Sequence, residues 1–250
     1  MMRFITKKYF LAGITFVFWA IFSVPAAWAI DKIDSPDVEK GELDFEYSGY
    51  RTFDNAADKN NLQDSEALIA YAPTDRWEID AGGYFSREPD QSFRADGVLV
   101  ENIFQFFEKG SHWADSGVMI ALNDSTHSAL ATTVETKLLL EKDVGKFINI
   151  ANLGLEQEVG AHASGGPDRT FQWNTQYAFR DDFAAGVEVQ SDFGQPNEGL
   201  DFSKEQQYIG PAVYGNILDH FHYEVAYLAG VSSASSDSAV RFLFQYQMHL

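Results

Sequence analysis

The sequence predicts an all-β fold, a single up-and-down antiparallel transmembrane β-barrel of about 12 strands. Three observations carry that expectation. Apolar and polar residues alternate with period two through most of residues 41–250, and helical periodicity is scarce. Segments bounded by turn signals mostly run 9 to 14 residues. Soluble strands have about 5 to 6, whereas a tilted membrane-spanning strand needs about 9 to 11. The connections also alternate between short and long, as hairpins running up and down a barrel wall require.

The elements follow in order. Strand 41–53 sets Leu43, Phe45 and Tyr47 against Glu42, Asp44, Glu46 and Ser48, so one face is aromatic and the other acidic. After strand 65–73, strand 76–87 repeats the device, with Trp77, Ile79, Ala81 and Phe85 opposing Glu78, Asp80 and Tyr84. Strands 95–108, 114–122, 128–142 and 146–159 come next. The first and last of these alternate poorly, because Ile103 and Phe107 share a face with Glu101. Such strands are expected to hold a bulge or to pack on an internal feature. Strand 169–180 opposes Phe171, Trp173, Tyr177 and Phe179 to Gln172, Asn174, Gln176 and Arg180. Strands 183–192, 206–217, 221–231 and 238–250 complete the set. Short connections are read at 74–75, 109–113, 143–146, 181–182 and 218–220. Long polar ones fall at 54–64, 88–94, 123–127, 160–168, 192–205 and 232–238. An even strand number brings both barrel ends to the short-turn side, which is periplasmic in bacterial barrels.

Residues 1–29 read as a cleaved secretory signal. Arg3, Lys7 and Lys8 precede the apolar run Tyr9 to Val24, and Ala27-Trp28-Ala29 supplies the small–x–small cleavage pattern before Ile30. The run of about 16 residues falls short of the roughly 20 that a spanning helix needs. Of the 18 Lys and Arg, three lie in this leader. The remaining 15 face 37 Asp and Glu, so residues 30–250 carry a net charge of −22. That charge argues against nucleic-acid binding, which needs a basic face to displace counterions. With no Cys, the chain has no disulfides, thiolate metal sites or Cys nucleophile. No phosphate loop, dinucleotide fingerprint or haem motif occurs, so no cofactor is expected.

Alternation alone does not say whether the aromatic face meets lipid or a soluble core. Strand length favours lipid. So does the clustering of Phe45, Tyr47, Trp77, Phe85, Trp113, Phe171, Phe179, Phe183, Phe221 and Tyr223 near strand ends, where interfacial girdles belong. The chain also finishes on an alternating strand, with Phe242, Phe244, Tyr246, Met248 and Leu250 at its apolar positions. This strand resembles the C-terminal recognition strand of Gram-negative outer-membrane β-barrel proteins, which usually ends on Phe or Trp rather than Leu. The segments Gly41 to Tyr47, Glu101 to Gln105 and Trp113 to Asp115 are similar to an uncharacterised proteobacterial group of exported barrel proteins. The resemblance implies outer-membrane location, contact with membrane lipid and lipopolysaccharide, and insertion by the barrel-assembly machinery, for which residues 242–250 would be the assembly signal. It brings no established activity.

On this reading the lumen is lined by Glu42, Asp44, Glu46, Glu78, Asp80, Glu101, Glu135, Glu188 and Glu224, with Lys137, Arg180 and Arg241 as inward bases. Carboxylate rings attract cations and repel anions, so a narrow pore for cationic or neutral small solutes is expected. The alternative within the same fold is a lumen plugged by long side chains, a structural barrel. Val187→Arg or Phe242→Arg, facing lipid, should cost about 2–4 kcal/mol near the midplane, whereas Glu188→Gln should be mild for folding. His220 and His222 with Glu224 would share a strand face and are a weak metal candidate, outweighed by a plain polar strand end. Two other classes stay open. An outer-membrane hydrolase would use a rim constellation, such as Asn123, Ser125 and His127, or His162 with Asp168 and Asp192; no G-x-S-x-G motif supports it. A soluble periplasmic barrel would bind an apolar ligand inside.

Overall fold

A computed structural model of the protein describes residues 30–126, 130–196, 201–218 and 220–250. The expected signal at 1–29, with its cleavage site, lies outside the described residues, as does His127. Twelve strands among the described residues form one closed barrel in which every strand pairs antiparallel with its neighbours. They are β1 Glu42–Phe53, β2 Gln63–Thr74, β3 Trp77–Arg87, β4 Arg94–Gln105, β5 Asp115–Ser125, β6 Thr132–Val144, β7 Phe147–Val159, β8 Asp168–Arg180, β9 Phe183–Asp192, β10 Gln206–Ile217, β11 Phe221–Gly230 and β12 Ser238–His249. The barrel closes between its ends, from Glu42 opposite His249 to Phe53 opposite Ser238. Closure leaves no unpaired sheet edge, the condition for a sheet to sit in lipid.

The expected elements are all present, with ends shifted by a few residues. The connection between β4 and β5 is longer than the sequence suggests, because β4 ends at Gln105 and β5 begins only at Asp115. Register shifts occur at three ladder positions. One passes from Tyr84 opposite Gly97 to Phe85 opposite Ala95, leaving Asp96 as the extra residue of a bulge in β4. β7 holds no bulge, since its ladders to β6 and β8 run unbroken, but it does pack on an internal feature, through Asn152 and the backbone of Asp34.

The outer surface is apolar. Ile69, Val98, Leu122, Leu153, Leu155, Val187, Ile209 and Tyr227 all stand out from the wall with more than a third of their surface free. Soluble proteins rarely expose so continuous an apolar patch. Aromatics gather at the short-turn rim: Trp77 stacks on Phe104 at 6.4 Å, Phe147 meets Tyr177 at 5.1 Å, and Phe221 stacks on Phe244 at 6.1 Å. Phe242, Phe244, Tyr246 and Met248 belong to this outward set, being offset by one from inward Arg241 and Leu243 along a period-two strand.

Candidate functional site: an acidic lumen filled by the N-terminal segment

The lumen is occupied. Residues Ile30 to Lys40 precede β1 and run inside the barrel, with Ile30, Lys32, Ile33, Asp34, Pro36 and Val38 buried. At the short-turn rim Gly41 donates its N–H to Ala72 O at 2.8 Å, while the N–H of Leu250 reaches Gly41 O at 2.8 Å. Val38 then packs among Leu68, Ala72, Leu99, Ile103, Met119 and Leu139. At the far end Ile30 rests on Tyr208, Ala212, Tyr214, Leu228 and Ala239, toward the long-connection rim. Eleven extended residues reach at most about 36–40 Å, more than the about 25 Å apolar band of a membrane barrel. The segment is therefore long enough to traverse the wall's height.

A buried irregular backbone must pair its N–H and C=O groups. Here side-chain amides of the wall take the place of a neighbouring strand. Asn152 on β7 accepts the N–H of Asp34 at 2.8 Å and donates to its carbonyl at 2.8 Å. Gln190 on β9 treats Asp31 in the same two-way fashion, at 3.4 and 3.0 Å. Gln105 accepts from Val38 N at 3.2 Å.

Charge pairing follows the same plan. Lys32 Nζ lies 2.7 Å from Glu101, 3.4 Å from Glu46 and 3.8 Å from Asp34. Lys137 on β6 pairs with Asp31, with Asp34 at 3.2 Å and with Glu135 at 3.4 Å. Nearer the rim, Ser35 donates to Glu141 at 2.6 Å. Lys109, from the connection between β4 and β5, bonds Asp37 and stands 3.3 Å from Glu141. Burial alone would lower the pKa of Lys109, but the bonds and charges of Asp37 and Glu141 raise it above the ordinary lysine value.

On the β9 to β12 side of the lumen, charged groups of the wall also pair with one another. Arg241 on β12 donates to Glu188 on β9 at 2.8 Å through Nε, to Glu188 again through Nη2, and to Glu224 on β11 at 2.7 Å. Tyr214 on β10 donates to Glu188 at 2.8 Å. β12 and β9 are separated by β11 and β10, so this network spans four consecutive strands along the inner wall. Arg241 and Glu188 are both fully buried.

Each expected lining residue has a definite place. Glu46, Glu101, Glu135 and Lys137 meet the inserted segment, while Glu188, Glu224 and Arg241 form the wall network. Glu42 and Asp44 take hydrogen bonds from Gln247 and, at 2.7 Å, from Gln245 of the last strand. Asp80 is buried with one unpartnered oxygen, and Glu78 is half-buried beside it on β3. Arg180 is a correction. The β8 register shifts between Ala178 and Arg180, and the side chain, 69% exposed, swings to Asp182 at the short-turn rim instead of the lumen. His220 and His222 also part company. His220 precedes β11 and lies against the outward Tyr246 ring at 6.2 Å, whereas His222 bonds Asn216 at 2.9 Å and Glu224 at 3.3 Å.

Sequence reasoning missed Lys32, Asp31 and Asp34 as lumen groups, and Asn152, Gln190 and Gln105 as the holders of the backbone at Asp34, Asp31 and Val38. A signal existed in Ile103, which shares a face with Glu101, and in Leu68, Leu99, Met119 and Leu139, which stripe an otherwise polar inner face. An apolar patch facing a lumen calls for a cover.

The barrel resembles solved channels. An outer-membrane channel from Pseudomonas putida F1 superposes with a TM-score of 0.58 at 8% identity, covering 88% of this chain and 100% of that one. The KdgM porin, solved in complex with disordered oligogalacturonate, gives 0.54 at 12% identity over 83% of this chain and 99% of its own. The NanC porin gives 0.52 at 11%, over 83% and 99%. The fold is that of Gram-negative outer-membrane β-barrels. At such identities the likeness is one of fold. No family model and no curated protein matches the sequence.

Proposed function

We propose that the protein is an outer-membrane channel whose lumen is closed by its own residues 30–40, and that withdrawal of this segment opens a pore for small cationic or neutral solutes. One observation carries the reading: a stretch of chain outside the sheet occupies the lumen, held largely by ion pairs and side-chain amides that water could replace. Its departure removes Lys32 from Glu46 and Glu101 and leaves a wall in which acids outnumber Lys137 and Arg241. Such a wall favours cations. The apolar outer band argues against a soluble barrel, and the polar filling argues against an apolar-ligand carrier. Outer-membrane lipid, with lipopolysaccharide on the outer leaflet, is the surrounding partner in this proposal. The outward Phe242, Phe244, Tyr246 and Met248, with Leu250, would be presented to the barrel-assembly machinery.

Single-channel recording in a planar bilayer under a KCl gradient tests it. The chain from Ile30 should stay closed most of the time, and a chain starting at Gly41 should give discrete steps with a cation-selective reversal potential. A folded, inserted barrel that is silent without residues 30–40 would make it a structural barrel instead. An anion-selective reversal would overturn the selectivity.

A further inference from the structure

We propose that the α-ammonium group of Ile30, created when the leader is removed after Ala29, is the counter-ion of Glu66 and fastens the N-terminal segment inside the lumen. The proposal rests on the expected cleavage position and deepens the reading of residues 30–40 as a plug.

Every lumen base seen so far is committed elsewhere. Lys32 serves Glu46 and Glu101, Lys137 serves Asp31, Asp34 and Glu135, and Arg241 serves Glu188 and Glu224. Glu66 on β2 is only 6% exposed, yet among the described residues no Lys, Arg or His makes an ion pair with it. A carboxylate left in that state is costly. Its place in the wall is specific. Glu66 lines a small cavity of about 10 Å³ together with Ile30, Asp31, Ser48, Tyr50 and Asp64. That volume is about the room of one water molecule, and an ammonium head group is of similar size. Asp64 is already engaged, accepting a 2.5 Å hydrogen bond from Tyr50. Lys32 lies near enough to attract Glu66 but makes its ion pairs with Glu46 and Glu101, so among the described residues Glu66 is the acid at this cavity with no direct ion pair or hydroxyl bond.

The missing cation is supplied by processing. Hydrolysis of the Ala29–Ile30 peptide bond by a leader peptidase consumes one water. The carboxylate remains on Ala29, and the released amine of Ile30 takes up a proton to become an ammonium. Before cleavage the same nitrogen is a neutral amide and offers Glu66 no charge. The side chain of Ile30 is buried among Tyr208, Leu228 and Ala239, and the residue lines the same cavity as Glu66, which is why the new charge is assigned to that acid. Closure of the lumen would therefore depend on export and cleavage at this one bond.

Mass spectrometry of the exported protein comes first and should show Ile30 as the first residue; another terminus overturns the proposal. A double-mutant cycle then compares Glu66→Gln in two refolded chains, one starting at Ile30 and one with a single Gly added before it. The added residue moves the ammonium but leaves the side chains intact. In the Ile30 chain, Glu66→Gln should raise the open fraction by about tenfold and lower the melting temperature. In the extended chain, which already lacks the pair, Glu66→Gln should change both by less than about twofold or should stabilise, because it removes a lone buried charge. Equal effects in the two chains would mean that the ammonium and Glu66 do not interact. The melting temperature reads this cycle whether or not the barrel conducts, so the channel reading and the ammonium pair fail separately.

Discussion

Two sides of one lumen are sealed by the same chemistry in different ways. Across β9 to β12, Arg241 binds Glu188 and Glu224, so every partner is part of the wall. Across β1 to β7, Lys32, Asp31 and Asp34 bind Glu46, Glu101, Lys137 and Asn152, so one partner of each contact is the inserted segment. The distances are alike, and the consequences of loss are not. Breaking the first leaves buried charges with nowhere to go. Losing the second as a unit takes the bases and acids of the segment out together and admits water. A wall-to-wall ion network is therefore architecture, and a wall-to-segment network is a removable closure.

The largest effect expected is on the wall network. Arg241→Ala should lower folding stability in detergent by about 3–5 kcal/mol, since Glu188 and Glu224 are left buried and unpaired, as denaturant titration would measure. Glu188→Gln should also destabilise. The sequence alone suggests it is mild, but Glu188 takes bonds from both Arg241 and Tyr214. On the outer face, Val187→Arg should cost about 2–4 kcal/mol near the midplane; a harmless result would mean that this face does not meet lipid. Asn152→Ala removes both bonds to the Asp34 backbone, at a cost of about 1–3 kcal/mol. It should raise the open time in recordings and lower the melting temperature of the chain from Ile30, with little change in a chain from Gly41. An equal loss in chains with and without residues 30–40 would place Asn152 in the wall instead.

The smallest effect belongs to the rim. Lys109→Gln loosens Asp37 and Glu141 at a half-exposed site, so about 0–1 kcal/mol is expected. The folded-state pKa of Lys109 is raised, so its contribution is complete below the ordinary lysine value and fades only as pH climbs through the raised one. Its effect on the open fraction should therefore be the same at pH 6 and pH 8. A difference between those two values would assign the pH response to another group.

Most of the wall was legible in the sequence. In β1, Leu43, Phe45 and Tyr47 alternate with Glu42, Asp44 and Glu46, and a period of two leaves only one way to sort them between lipid and lumen once the barrel closes. Arg180 shows where that rule stops, because one register shift beside a turn moved an inward base to the rim. The destination of residues 30–40 was not legible. Ile-Asp-Lys-Ile-Asp-Ser-Pro-Asp-Val-Glu-Lys reads as a short polar lead-in, and its pairing partners lie up to 159 positions away.

Local alternation, strand length and turn spacing by themselves determined an antiparallel barrel of about twelve strands with one apolar and one acidic face, because each of these is a property of neighbours in the chain. Tertiary structure alone decided what fills the inner face. Ion pairs between Lys32 and Glu101, or Asp34 and Lys137, exist only after closure brings β4 and β6 around the segment. Their strength comes from a confined space with little water, which no stretch of sequence possesses until the barrel has formed.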